Sequence, residues 1–268
     1  MARARGLLLA ASELLEAARR LGDPLAGTLR IGVIPTISPY LLPEATPLIR
    51  QRHPRLKLVW VEEKTARLVG LLGAGALEAV LLAMGPDVAE LEREVVAQDA
   101  FLLAAAPDHP LARTASPVAL AEVRGSEVLL LDEGHCLRDQ ALTLCEKAGA
   151  REASFRATSL PTLTQMVAGG AGVTLLPRLA VAAESRRGGI AVRRFEEPAP
   201  HRTLALVWRK GSAFGAALRP LAASLRDAYR RVEPAGASSA ARRPRRRALG
   251  EARRRVRILR RSGRRSCR

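Results

Sequence analysis

The chain has 268 residues, of which 48% are hydrophobic and only 3% aromatic. That is enough for one large or two small domains with an aliphatic core. Three cysteines in an ordinary globular composition exclude a secreted disulfide scaffold and fit a reducing, cytoplasmic setting.

Residues 1–24 open with a short basic and apolar run. Because Glu13 follows that run closely, a signal peptide is not expected. Leucines at helical spacing over residues 7–21 predict a helix, which Gly22 and Pro24 end. We interpret residues 1–24 as the remnant of a linker or dimerisation helix. An ordinary packed N-terminal helix is the alternative.

The following residues alternate between strand and helix patterns. This alternation predicts an α/β fold with a parallel-rich sheet, arranged as two lobes joined by crossover strands around a ligand cleft. The longest apolar stretch, residues 68–84, carries Glu78 near its middle, so no membrane span is expected. Strands are predicted at 28–34, 56–62, 78–83, 101–105, 128–131, 172–176 and 202–208, and helices at 40–52, 65–73, 138–148, 160–167, 179–183 and 218–231.

Most of the net charge of +18 lies at the end of the chain, in residues 232–268. From Pro234 onward there are 14 arginines and one acidic residue, Glu251, so this part carries +13 and the rest +5. Such a composition predicts a disordered tail. It fits either contact with nucleic acid or another anionic surface, or a solvated extension or frame-shifted gene end. We assign no role to Cys267 in this tail.

Two cysteines nine positions apart, Cys136 and Cys145, are the most informative feature of the chain. If the segment between them is helical, their Cα atoms lie roughly 13 Å apart. A disulfide needs a separation within about 7 Å. The pair is therefore either two unrelated buried thiols, which are common, or a redox switch that requires a structural change.

Cys136 lies in a strand-to-helix turn beside His135 and close to Arg138. A helix N-terminus and nearby cations favour the thiolate, which is the reactive form. Peroxide converts such a thiolate to a sulfenic acid, and Cys145 is the available thiol to condense with it. No CxxC pair or histidine cluster is present, so neither a metal nor another cofactor is expected.

Four stretches resemble the OxyR-type hydrogen-peroxide sensors of the LysR-type transcriptional regulators. The most specific is LLLDEGHCLRDQALTLC, residues 129–145, and the others are residues 31–43, 155–177 and 201–212. The resemblance spans about residues 6–231. It implies that residues 25–231 form a LysR regulatory domain with two α/β subdomains, a periplasmic-binding-protein-like fold and an interlobe cleft.

The resemblance also implies roles for individual residues. Cys136 would be the peroxidatic cysteine and Cys145 the resolving one. Threonine hydroxyls can bond both peroxide oxygens, an arginine can stabilise the thiolate and the departing oxygen, and an aspartate can orient that arginine or a water. From the residues alone, the threonines could equally be turn and cap residues and the arginine a solvated strand end. The implied pocket residues are Thr36, Thr65, His135, Asp139 and Arg202.

The function implied is a cytoplasmic, redox-sensing regulatory domain that responds to hydrogen peroxide through a reversible Cys136–Cys145 disulfide. It would consume peroxide only stoichiometrically, so it would not be an enzyme, and it would self-associate as a dimer or tetramer. Family members carry an N-terminal winged helix-turn-helix, and none is expected before Gly22. DNA contact would then need a missing N-terminal domain or use the Arg-rich tail non-specifically. The alternatives are a LysR-type domain that binds a small metabolite, with idle cysteines, and a thiol peroxidase.

Overall fold

The computed structural model describes residues 23–186 and 189–232. The predicted helix at 7–21 and the tail beyond Val232, with Cys267, lie outside the described residues. Three short 3-10 turns also occur, at Pro86–Val88, Pro110–Ala112 and Leu120–Val123. The elements in chain order are β1 (Gly27–Val33), α1 (Ser38–Arg52), β2 (Leu56–Glu62), α2 (Thr65–Gly73), β3 (Ala79–Ala83), β4 (Glu92–Ala105), β5 (Glu127–Leu131), α3 (Cys136–Ala148), β6 (Arg151–Ala157), α4 (Leu160–Ala168), β7 (Thr174–Pro177), α5 (Arg178–Arg186), β8 (Ala191–Arg194), β9 (His201–Trp208) and α6 (Gly215–Val232).

The strands form two halves, which we call lobe 1 and lobe 2. In lobe 1 the strand order is β2-β1-β3-β9-β4, with β1 parallel to both β2 and β3. In lobe 2, β5 pairs parallel with β6, and β7 and β8 pair antiparallel with β4. A parallel bridge between Val128 and Val173 connects β5 to the residue just before β7. The predicted two-lobed α/β class is confirmed.

The long strand β4 connects the lobes. Its first part, residues 92–100, pairs antiparallel with β9, and its last five residues pair with β7 and β8 in lobe 2. Only residues 101–105 were predicted as strand, because the first part has one open face and reads as mixed polar sequence. The expected parallel-rich sheet is wrong in this respect: β4 and β9 make it mixed, since both crossover strands pair antiparallel. The short strands β6 and β8 were not predicted.

The helices cover the sheets with apolar faces at helical spacing. In α1 the buried residues Leu41, Ala45 and Leu48 recur every three or four positions, and this face packs on α6. Hydrophobic residues from both lobes join one continuous core, which fixes the position of α3 against β5 and β6. None of the helices in the described ranges combines the length and apolarity needed to cross a bilayer.

Candidate redox site around Cys136

Cys136 is the first residue of α3. The buried strand β5 ends at Leu131, and a four-residue loop, Asp132 to His135, leads into the helix. Gly134 in this loop has φ of +83°, a left-handed conformation that favours glycine. The helix begins two residues earlier than predicted, so the half-buried thiol of Cys136 lies at a helix N-terminus. Unpaired backbone N–H groups and the helix dipole favour a negative charge there.

Cys145 lies on the same helix but in the core. Its side chain is 3% exposed, and both it and Cys136 are free thiols. Burial, reinforced by the carboxylates of Glu152 and Glu146, raises the pKa of the Cys145 thiol to about 11. The continuous helix between the two cysteines is confirmed, and its rise places their Cα atoms roughly 13 Å apart. The two thiols therefore cannot bond without local unwinding of α3.

A cavity of about 340 Å³ lies against Cys136. Lobe 1 contributes Thr65 and residues 83–88, and lobe 2 contributes Gly134 and the outer face of α3, so this cavity is the predicted interlobe cleft. It brings together three of the predicted site residues: Thr65, Cys136 and Asp139. The cavity wall formed by lobe 1 is largely apolar, whereas the wall formed by α3 carries polar side chains.

Two residues that line this cavity each have a buried polar atom without a hydrogen-bond partner, Thr65 Oγ1 and Gln140 Oε1. The alternative role for Thr65 was to cap α2, but the capping position is Lys64 and Thr65 is the first helical residue. That alternative is wrong, since Thr65 makes no capping hydrogen bond, and its buried hydroxyl has no hydrogen-bond partner although the residue lines the cavity. The Gln140 amide donates from Nε2 to the backbone oxygen of Met84 at 3.1 Å, which joins α3 to lobe 1.

His135 directly precedes Cys136 and is buried, with its Nε2 atom lacking a hydrogen-bond partner. Burial lowers the pKa of its imidazole, the nearby Lys64 ammonium lowers it further, and Asp132 partly offsets them. The ring is therefore neutral at pH 7. His135 is not among the residues that line the cavity.

Thr36 and Arg202 form a separate group. Arg202 donates from Nη1 to Thr36 Oγ1 at 2.8 Å, from Nη2 to the Thr36 carbonyl at 3.1 Å and from Nε to Asp99 Oδ2 at 2.9 Å. The Arg202 and Asp99 side chains are fully buried. Arg202 is therefore not a solvated strand end. Its carboxylate partner is Asp99 on β4 rather than Asp139, which was expected to orient either this arginine or a water. Neither Thr36 nor Arg202 lines the cavity.

The contacts of two further side chains, Arg138 and Lys64, were not predicted from the sequence. Arg138, expected as a cation near the thiol, instead points its guanidinium to Glu152 on β6, with two hydrogen bonds of 2.8 and 3.0 Å. Lys64, which was not predicted as a site residue, donates to Asp132 Oδ2 at 2.9 Å and to the Glu133 carbonyl at 2.8 Å. Its position directly before Thr65 was the only signal in the sequence.

The chain matches the LysR substrate binding domain family over residues 22–230. A DNA-binding transcriptional dual regulator OxyR from Escherichia coli K12 is 41% identical over 224 residues, which cover 83% of this chain and 73% of that protein. A probable hydrogen peroxide-inducible genes activator from Streptomyces viridosporus is 44% identical over 232 residues, or 85% and 74% of the two chains.

Crystal structures of OxyR in its reduced and oxidised forms each superpose with a TM-score of 0.70, at 39% and 41% identity, and cover 77% of this chain and 97% of theirs. A Corynebacterium glutamicum OxyR mutant, described as H2O2-bound, gives a TM-score of 0.75 at 33% identity and covers 85% and 74% of the two chains. By sequence and by fold, this chain belongs to the LysR family, within which it is an OxyR-type member that carries the LysR substrate-binding domain.

Proposed function

We propose that this chain is a redox-sensing regulatory domain that responds to hydrogen peroxide by forming a Cys136–Cys145 disulfide. The observation that carries the proposal is the placement of the two thiols on one helix. Cys136 meets the interlobe cavity at the N-terminus of α3, and Cys145 is buried on the same helix. The relatives named for peroxide-inducible activation and the solved reduced and oxidised OxyR forms support this function.

In the first step the Cys136 thiolate attacks one oxygen of hydrogen peroxide and the O–O bond breaks. Sulfur becomes a sulfenic acid, and the other oxygen leaves as hydroxide, which a proton converts to water. We propose that Thr65, which lines the cavity beside Cys136, contacts the peroxide, and that the N-terminus of α3 stabilises the attacking thiolate. The H2O2-bound state of the C. glutamicum relative is consistent with a peroxide site in this fold.

In the second step the Cys145 sulfur attacks the Cys136 sulfenic sulfur. An S–S bond forms, the S–O bond breaks and a second water leaves, so that two thiols are oxidised by two electrons and one peroxide is reduced. The first turns of α3 must unwind before the sulfurs meet. Because this unwinding removes contacts between α3 and lobe 1, such as Gln140 to Met84, it provides a structural signal.

The signal would reach DNA through the regulator to which this domain belongs. The E. coli relative is named as a DNA-binding transcriptional regulator, and we propose the same output here. We further propose that self-association as a dimer or tetramer transmits the change in α3. Sedimentation of the reduced and the oxidised chain would measure their assembly states. A difference in assembly between the two forms is the expected result.

Thiol titration tests the proposed function. The Cys267→Ser chain, treated with one equivalent of hydrogen peroxide, should lose both remaining thiols together. Cys136→Ser in the same background should keep its one remaining thiol, Cys145, and Cys145→Ser should accumulate a sulfenic acid on Cys136 that a dimedone-type reagent traps. A metabolite-binding domain with idle cysteines would keep both thiols, and repeated turnover with thioredoxin would identify a peroxidase. Absence of the trapped sulfenic acid would contradict the assigned roles.

A further inference from the structure

We propose that Lys64 is a positioning residue that holds the loop before Cys136 in its reduced conformation and so sets how easily the disulfide forms. This inference rests on the proposed function and adds a residue from the opposite lobe to it. Lys64 lies between β2 and α2 in lobe 1. All of the groups it contacts in this loop belong to lobe 2, in the residues directly before His135 and Cys136.

The contacts of Lys64 cover three consecutive loop residues. Its Nζ donates to Asp132 Oδ2 at 2.9 Å and to the Glu133 backbone oxygen at 2.8 Å. Its aliphatic stem crosses the third residue, since a Cβ built on Gly134 would lie 3.2 Å from Lys64 Cδ. A single side chain of lobe 1 thus contacts the Asp132 side chain, the Glu133 backbone and Gly134.

Gly134 is the residue of this loop best able to change its backbone angles when Cys136 moves, because it already has φ of +83° and carries no side chain. Cys136 has to move by several ångströms to bring its Cα within disulfide distance of Cys145. A rotation at Gly134 meets the Lys64 stem, and a shift of the whole loop breaks the two Nζ bonds. Both routes to the disulfide therefore require that Lys64 be displaced.

The first chemical step does not need this displacement, since Cys136 already lines the cavity. The charge of Lys64 is compensated by Asp132 at 2.9 Å, so the pair has no net charge and a weak field at the thiol. The hydrogen bond from the same ammonium lowers the pKa of the Asp132 carboxylate. Lys64 should therefore act on the second step, the closure of the disulfide, and little on the first.

The experiment measures the two steps separately in the 268-residue chain with Cys267→Ser. Lys64→Met keeps the stem length but removes the charge and the three donors. We expect disulfide closure to become about fivefold faster and the midpoint potential of the pair to become about 20 mV more negative, which is the same fivefold change in equilibrium for two electrons. Sulfenic acid formation, trapped in a Cys145→Ser background, should change by less than twofold.

Three further variants make the outcome specific. Asp132→Asn should shift the potential in the same direction, and Lys64→Arg, which restores charge and donors, should return it to the parent value. Lys57→Met, the same substitution at an exposed position of β2, is the matched control and should behave as the parent. If Lys64→Met slows sulfenic acid formation instead, or leaves the potential unchanged while the parent forms its disulfide, the inference is overturned. A parent chain that forms no disulfide contradicts the proposed function itself.

Discussion

At the scale of single residues, burial gives two chemically identical thiols different reactivities. Cys136 lies at a cavity and at a helix N-terminus, whereas Cys145 is in the core with its pKa raised to about 11. A protonated, buried thiol does not react with oxidant from solvent. In the proposed mechanism Cys145 therefore reacts only with the sulfenic acid of Cys136, after α3 has opened.

His135 should make folding stability depend on pH. Its folded-state pKa lies below the ordinary value of 6.5, chiefly because the imidazole is buried. The unfolded chain therefore binds the extra proton first. The His135 contribution to stability is complete above pH 6.5, falls as the pH drops toward the folded-state pKa and levels off below it. Urea unfolding at several pH values between 7.5 and about 5 should show the parent losing stability through this window.

The His135→Asn variant should have a flatter pH profile than the parent, because the titrating group is gone. His201→Asn removes an exposed histidine and is the matched control, whose profile should follow that of the parent. His53, whose pKa is also lowered by burial, remains in both variants, so the difference between profiles isolates His135. Equal slopes for parent and His135→Asn would contradict the assignment.

At the scale of elements, the unbroken helix α3 keeps the two cysteines apart and so favours the dithiol form. The helix runs unbroken from Cys136 to Ala148 and ends at Gly149, which has the left-handed φ of +69° typical of a helix C-terminus. Arg138 holds its first turn to β6 through Glu152. Forming the disulfide means losing helical residues between the cysteines, so their helix propensity enters the redox equilibrium directly.

Thr143 allows a direct test, because it is exposed and lies between the two cysteines. Glycine and alanine differ by about 1 kcal/mol in helix propensity, and both remove the hydroxyl that bonds the Asp139 carbonyl. Thr143→Gly should therefore favour the disulfide about fivefold over Thr143→Ala, measured by equilibration with a dithiol buffer.

The matched pair for this test is Lys147→Gly and Lys147→Ala. Lys147 is exposed on the same helix but follows Cys145, so its propensity lies outside the segment that has to unwind. These two variants should differ in thermal stability yet keep nearly equal disulfide equilibria. If the glycine and alanine variants differ equally in disulfide equilibrium at both positions, the helix melts as a whole.

Most elements could be predicted from the sequence because their apolar spacing is local. The strand β2 and the helix α2 were predicted with the bounds that the structure has, Leu56–Glu62 and Thr65–Gly73. The strands β6 and β8 and the first part of β4 were missed, since their pattern depends on which face a neighbouring strand covers. The start of α3 was predicted two residues late, which matters because those residues include Cys136.

At the scale of the whole molecule, partners come from distant parts of the chain, and sequence reasoning failed there. Asp139 was expected to orient either Arg202 or a water, but the carboxylate that Arg202 binds is Asp99, 103 residues away. Lys64 and Asp132 are 68 residues apart and meet across the lobes. The local motif around Cys136 could be recognised from the sequence, whereas these pairings depend on how β4 and β9 cross between the lobes.

Asp99 should be the residue on which the junction of the lobes depends most. Its carboxylate accepts from Arg202 on β9, from the Tyr229 hydroxyl on α6 at 3.0 Å and from the Leu179 backbone N–H on α5 at 2.9 Å. Removing one partner of a fully buried ion pair leaves an uncompensated charge. Asp99→Asn should therefore lower the free energy of unfolding by about 3 kcal/mol or more, measured by urea denaturation of the reduced chain.

Two comparisons separate the charge effect from simple loss of a hydrogen bond. Tyr229→Phe removes one donor to the same carboxylate and should cost only about 1–2 kcal/mol. The double variant Asp99→Asn with Arg202→Met removes both charges, so it should lose less stability than the sum of the two single variants. If Asp99→Asn stays within about 0.5 kcal/mol of the parent, the buried pair does not hold the lobes together. In that case the apolar contacts of β4 and β9 would be sufficient for the junction.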